Sequence, residues 1–178
     1  MEKTNKKILI LSGPGGSGKT TIAELLVKQC SFVLLDGDRE DTEFFPNGKQ
    51  WLPENSEKLS RAHDKILERA KKLFEEGNSV VVDYIIFGQY LDFFEKFRCQ
   101  FKDNLEIRIL LPSEQELIKR DKNRECWTTG SERITAVRRE FERIKNALNK
   151  DYYIDTSNET AEMTFEKHFS CKSGGSSL

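Results

Sequence analysis

A glycine-rich octapeptide ending in lysine and threonine constrains this chain more than any other feature. Gly13-Pro14-Gly15-Gly16-Ser17-Gly18-Lys19-Thr20 satisfies G-x-x-x-x-G-K-[ST] at every fixed position. The apolar run from Lys7 to Ser12 reads as a buried strand. Lys19 to Gln29 reads as a helix with Ile22, Leu25, Leu26 and Gln29 on one side. A strand, a glycine loop and a helix in that order make a phosphate cradle. Glycines let backbone N–H groups turn inward, and the positive end of the helix faces the anion. Lys19 is placed to reach β and γ phosphates, and the Thr20 hydroxyl suits Mg²⁺. Gly13, Gly15, Gly16, Ser17, Gly18, Lys19, Thr20 and Thr21 are therefore expected to hold a nucleoside triphosphate such as ATP. The bland alternative is a chance glycine turn, but that would not need a strand before it and a helix after it. The motif is silent on what receives the phosphate.

Downstream, short apolar runs alternate with helical patterns. Strands are predicted at Phe32–Leu35, Ser79–Ile85, Leu105–Leu111 and Tyr152–Asp155. Helices are predicted at Ser56–Glu76, Tyr90–Phe101, from Pro112 to about Lys122, Glu132–Asn149 and Glu159–Phe169, with Gly77 as a C-cap. Asp41–Asn55, with Pro46 and Pro53, reads as a loop. Five short strands separated by helices imply an α/β fold, a parallel sheet covered on both faces. Residues 1–170 then form a single domain, and the Ser/Gly-rich 171–178 reads as a disordered tail.

Composition narrows the function classes. Lys+Arg is 29 and Asp+Glu is 30, a net charge of -1 that does not suit a protein coating nucleic acid by bulk charge. The longest apolar runs fall far short of the roughly 20 residues of a membrane span. Cys30, Cys99, Cys126 and Cys171 are widely spread with no C-x-x-C pair. They read as unpaired thiols in a reducing, cytoplasmic setting.

In open parallel sheets the ligand site lies beyond the carboxyl ends of the strands. Asp36 and Asp38 follow the second strand, and if the strand persists both point the same way. A carboxylate there can take the proton of an attacking hydroxyl or hold Mg²⁺. A solvated Asp-Gly turn is the alternative. Asp83 ends Val80-Val81-Val82, the pattern of an acidic residue held near Mg²⁺. The metal candidates are thus Thr20, Asp36 and Asp83.

From Lys119 to Lys145 nine basic residues face five acidic ones. Most fit a solvated helix with i,i+4 pairs. Arg120 and Arg124 share a helix face beside the Cys126–Ser131 break, and such guanidiniums can stabilise transferring phosphate in a closing lid. Phe44, Phe45 and Trp51 sit in the long loop, where a substrate can dock or the rings can simply pack. His63 and His168 read as core or surface residues. Asp155-Thr156-Ser157 follows the last strand and either caps a helix or lines the nucleotide base.

Together these residues resemble the small P-loop kinases: chloramphenicol phosphotransferase, gluconate, shikimate and adenylylsulfate kinases, and the polynucleotide 5′-kinase domain. The resemblance implies the P-loop NTPase fold, with strand order 2-3-1-4-5, helices on both faces and a helical lid. It implies Lys19 and Thr20 as the phosphate-loop pair, Asp38 as the base and Arg120 with Arg124 as lid arginines. Thr156 and Ser157 would lie on the adenine side. Polynucleotide kinases carry Arg three residues after their base; here that residue is Asp41, which speaks against a nucleic-acid end. The expectation is a kinase using ATP and Mg²⁺ on a hydroxyl of a small molecule. A polynucleotide or nucleoside 5′-hydroxyl kinase and a slowly hydrolysing nucleotide switch stand as alternatives.

Overall fold

The computed structural model describes residues 6–86, 88–123 and 129–171. Its sheet is built of β1 (Ile8–Ser12), β2 (Val33–Asp36), β3 (Val80–Asp83), β4 (Leu105–Leu110) and β5 (Tyr153–Ile154). All pairs are parallel and the order is β2-β3-β1-β4-β5, as expected. Helices α1 (Lys19–Cys30), α2 (Gly37–Asp41), α3 (Ser56–Glu75), α4 (Leu91–Phe101), α5 (Glu114–Lys122), α6 (Ser131–Ile144) and α7 (Ala161–His168) connect and cover it.

The central strand is apolar from Ile8 to Leu11 because it is buried on both faces. Successive side chains alternate. Ile8 and Ile10 join Val80, Val82, Leu59, Ile66, Phe93 and Phe97 in the core beneath α3 and α4. Leu9 and Leu11 join Ile22, Leu26, Val81 and Phe165 in the core beneath α1 and α7. On α3 the i, i+3, i+4, i+7 spacing buries Leu59, Ala62, His63, Ile66 and Ala70, so His63 is a core residue. Gly77 follows at φ 104, the left-handed conformation that closes a helix end.

Several boundaries differ from the sequence expectation. β2 stops at Asp36, and the chain turns at once into α2. The cause is local: the Asp36 carboxylate accepts from the Arg39 N–H at 3.0 Å and caps the new helix. Asp38 is thus helical, and two-residue alternation does not aim it. The segment expected to be loop from Asp41 begins with the last residue of α2. α6 ends at Ile144, short of Asn149, because the next bonds tighten: Lys145 N–H reaches Glu142 O and Ala147 N–H reaches Ile144 O.

The cysteines are not all apart. Cys30 and Cys171 form a disulfide with their Cα atoms 5.8 Å apart. The end of α1 and the chain after α7 pack on one core, with Ile22 and Leu26 against Phe165 and Phe169. Contacts between residues 141 apart are invisible to a spacing rule. Cys99 is free and exposed. No helix among the described residues is long and apolar enough to cross a membrane. Arg124 and the first half of the expected lid tip, residues 126–128, lie outside the described residues, as does the tail from 172 on.

Candidate active site

The loop between β1 and α1 is shaped by its glycines. Gly13 has φ 145, and a Cβ on it would stand 2.4 Å from the Leu110 carbonyl oxygen. No larger residue fits there without moving β4. Gly18 takes φ 94 at the N-cap of α1, and Ile22 N–H then bonds its carbonyl at 3.0 Å. The first N–H groups of α1 thereby face outward with no capping side chain, the arrangement that receives an anion.

A cavity of about 400 Å³ opens over this end. Gly16 to Thr21 line one side, and Arg120, Thr156, Thr160 and Ala161 the other. Arg120 belongs to this wall. Its guanidinium donates to the carbonyls of Thr156 at 2.8 Å, Glu159 at 3.1 Å and Ser17 at 3.4 Å, and to Glu116 at 2.9 Å. It ties the loop to the chain after β5. Thr156 faces the cavity, and its buried hydroxyl has no partner. Ser157 instead accepts from Ser113 N–H at 2.7 Å, joining the β5 end to the start of α5.

Across the loop, Thr20 donates its hydroxyl to Asp83 at 2.6 Å. Asp83 is 7% exposed, and its second carboxyl oxygen is buried without a hydrogen-bond partner. Burial pushes its pKa up, against the Lys19 charge and the Thr20 bond, which lower it. An acidic oxygen with spare lone pairs beside a hydroxyl suits a hard cation such as Mg²⁺. Among the described residues no group of three His, Cys, Asp or Glu surrounds a metal position. A cation here would complete its shell from phosphate oxygens and water. Asp36 stands in register beside Asp83, with one oxygen committed to capping α2.

Asp38 lies in the first turn of α2 and opens into a second cavity of about 300 Å³ that also touches Gly15, Lys19 and Thr20. Its side chain is exposed at the cleft, and the surrounding walls desolvate it in part. That desolvation lifts its pKa to about 7. Lys19 opposes the rise, while Asp41, Asp83 and Asp36 add to it. A carboxylate poised near neutral pH, facing the same space as the phosphate-loop lysine, can accept a proton from a hydroxyl.

Sequence reading missed the residue behind it. Asp41 is 1% exposed at the cavity wall, accepting from the Tyr84 hydroxyl at 2.9 Å and from Gln50 at 3.4 Å. Its signal was present: Asp38 and Asp41 are three apart, one face of a helix, but only once α2 is recognised. Gly37 makes that packing possible, since a Cβ there would lie 2.5 Å from the Tyr84 ring. Tyr90 and Arg133 were missed too. Both line this cavity, and so does Trp51.

Over 170 residues the chain is 29% identical to a guanylate kinase of Caldanaerobacter subterraneus subsp. tengcongensis, covering 85% of this chain and 76% of that protein. A sugar kinase from Janibacter sp. HTCC2649 superposes with a TM-score of 0.71 at 17% identity, covering 91% of both chains. A gluconokinase from Sinorhizobium meliloti 1021 gives 0.60 at 20% identity, over 90% of this chain and 88% of that one. These likenesses show the fold of P-loop kinases. Residues 8–150, most of the chain, match the family model described as AAA domain (AAA_33), and the chain belongs to that family.

Proposed function

We propose that this P-loop kinase transfers the γ-phosphate of ATP, with Mg²⁺, to a hydroxyl of a small-molecule acceptor. One observation carries the reading: Asp38 faces the same cavity as Lys19 and Thr20, with its pKa raised to about 7. In this reading the loop amides and Lys19 hold the β and γ phosphates. Thr20 and Asp83 hold Mg²⁺, which supplies charge neutralisation at the phosphates. Asp38 takes the hydroxyl proton while the oxygen bonds to the γ-phosphorus. The bond from that phosphorus to the β–γ bridging oxygen breaks, and ADP leaves. Arg120 secures the base side of the nucleotide cavity.

The guanylate kinase relative favours a second reading, a nucleotide whose phosphate is the acceptor. Two carboxylates, Asp38 and Asp41, line the acceptor cavity and disfavour a phosphate dianion beside them, against the Lys19 and Arg133 charges that favour one. The test is acceptor-dependent ADP release with gluconate, shikimate, guanosine and GMP, in wild type and Asp38→Asn. A hydroxyl compound that loses about a hundredfold in the variant supports the alcohol acceptor. Turnover with GMP alone, unchanged in Asp38→Asn, supports the phosphate acceptor.

A further inference from the structure

The acceptor cavity does not end near Asp38. A further cavity of about 520 Å³ adjoins it, and Trp51, Tyr90, Arg133 and Val137 line both. Each volume falls in the roughly 300–1,000 Å³ range of pockets that take drug-sized ligands. A compact metabolite with its hydroxyl at Asp38 would leave the outer cavity unfilled.

The shared wall has a distinct chemistry. Trp51 is 42% exposed, the one aromatic among the large hydrophobic side chains exposed in the described residues. Leaving an indole in water forgoes burial that the core offers other rings. The Arg133 guanidinium lies 4.7 Å from its ring centroid. The nearby carboxylates of α6 are engaged elsewhere: Glu140 with Arg143 at 2.6 Å and Glu142 with Arg138 at 3.1 Å. The guanidinium lies over the indole, and the exposed part of this planar stack is a shelf on which a flat ring can stack. Gly88 adds no side chain to the outer cavity.

We propose that the acceptor is an alcohol carrying a planar ring, with its hydroxyl at Asp38 and its ring on the Trp51–Arg133 shelf. This rests on the alcohol-acceptor reading above. It narrows the substrate from hydroxyl compounds in general to aryl or heterocyclic glycosides and nucleosides. Compact sugar acids lack the ring that the shelf receives.

The test separates the shelf from the chemistry. The full chain is saturated with ADP and Mg²⁺, so that rings cannot enter the nucleotide cavity. Phenyl β-D-glucoside is titrated against methyl β-D-glucoside, and guanosine against D-ribose, by calorimetry. Each ring compound is expected to bind at least about tenfold more tightly than its ringless partner, the scale of one stacking contact. Trp51→Ala and Arg133→Ala should each erase most of that preference while leaving ADP affinity unchanged. Arg133→Lys keeps the charge and loses the plane, and should behave as the alanine variant does. Equal affinities within both pairs, no saturable binding of either ring compound, or a preference that survives Trp51→Ala would overturn the proposal. ADP release reads the other question. A ring preference with turnover only on GMP keeps the shelf and removes the alcohol reading. Phosphorylated methyl β-D-glucoside without a ring preference does the reverse.

Discussion

Thr20 and Asp83 are joined by a 2.6 Å hydrogen bond, and the second oxygen of Asp83 is buried with no hydrogen-bond partner. A buried carboxylate in that state costs free energy unless a cation completes its shell. Asp83→Asn keeps the shape and the bond from Thr20 but removes the charge. Nucleotide affinity measured with Mg²⁺ should fall by at least about tenfold, about 1.4 kcal/mol. Affinity measured in chelator should not fall. An equal loss in both conditions would mean that Asp83 serves the loop structure alone.

Asp38 gives a pH signature. A base with its pKa near 7 is idle when protonated, so kcat/KM for the acceptor should rise with pH and level off above about 7. Asp38→Asn should lose this limb. Stability should run the other way. The native pKa stands above the unfolded value of 3.8, so the fold loses stability as pH rises through about 7. Asp38→Asn, with no charge to desolvate, should melt higher than wild type at about pH 8, and the difference should vanish below about pH 4. Thermal melts across that range check it.

Gly37 is tested by adding one methyl group. A Cβ at this position would stand 2.5 Å from the Tyr84 ring, so either α2 or the ring must move. Gly37→Ala should destabilise the fold by about 1–3 kcal/mol, the usual cost of overpacking. Acceptor turnover should fall with it, because α2 carries Asp38. Denaturant titration and ADP release on the same preparation are the measurements.

The phosphate loop was legible because its chemistry is written in consecutive residues, and the sheet because its strands are continuous apolar runs. Asp38 was singled out for an incomplete reason. Aiming Asp36 and Asp38 the same way required the strand to persist beyond Leu35, whereas the Asp36 cap starts a helix that places Asp38 in the cavity with Lys19. What stayed hidden depends on pairs distant in sequence: Gly37 with Tyr84, Asp41 with Tyr84, Trp51 with Arg133, Cys30 with Cys171. None has a local period. Arg133 was counted only within a basic stretch, and its neighbour across the cavity decides its role. Arg120 was expected both to bind the nucleotide and to clamp the transferring phosphate, and four hydrogen bonds hold it in the wall of the nucleotide cavity.

The Tyr84–Asp41 bond provides the last prediction. Both side chains are about 1% exposed, and the phenol donates to the carboxylate at 2.9 Å. Burial raises the Asp41 pKa, while the bonds from Tyr84 and Gln50 restrain that rise. Tyr84→Phe preserves the ring packing and deletes the donor, leaving a buried carboxylate with the 3.4 Å contact from Gln50. The loss should be about 1–3 kcal/mol at neutral pH, the penalty of an unmet buried polar group. The sign of its pH dependence follows from the pKa. Without Tyr84 the Asp41 pKa climbs further above its unfolded value, so ionising it costs the native state more. The deficit should therefore be larger when measured at about pH 8 than at about pH 5, since a raised pKa favours proton uptake by Asp41 as pH falls. Asp41→Asn in the same background should recover part of the stability lost at about pH 8, a coupling that adds to neither single change. Urea denaturation of wild type, both single variants and the double variant at the two pH values measures it. A deficit that stays constant with pH would show that the phenol serves Asp41 by packing alone.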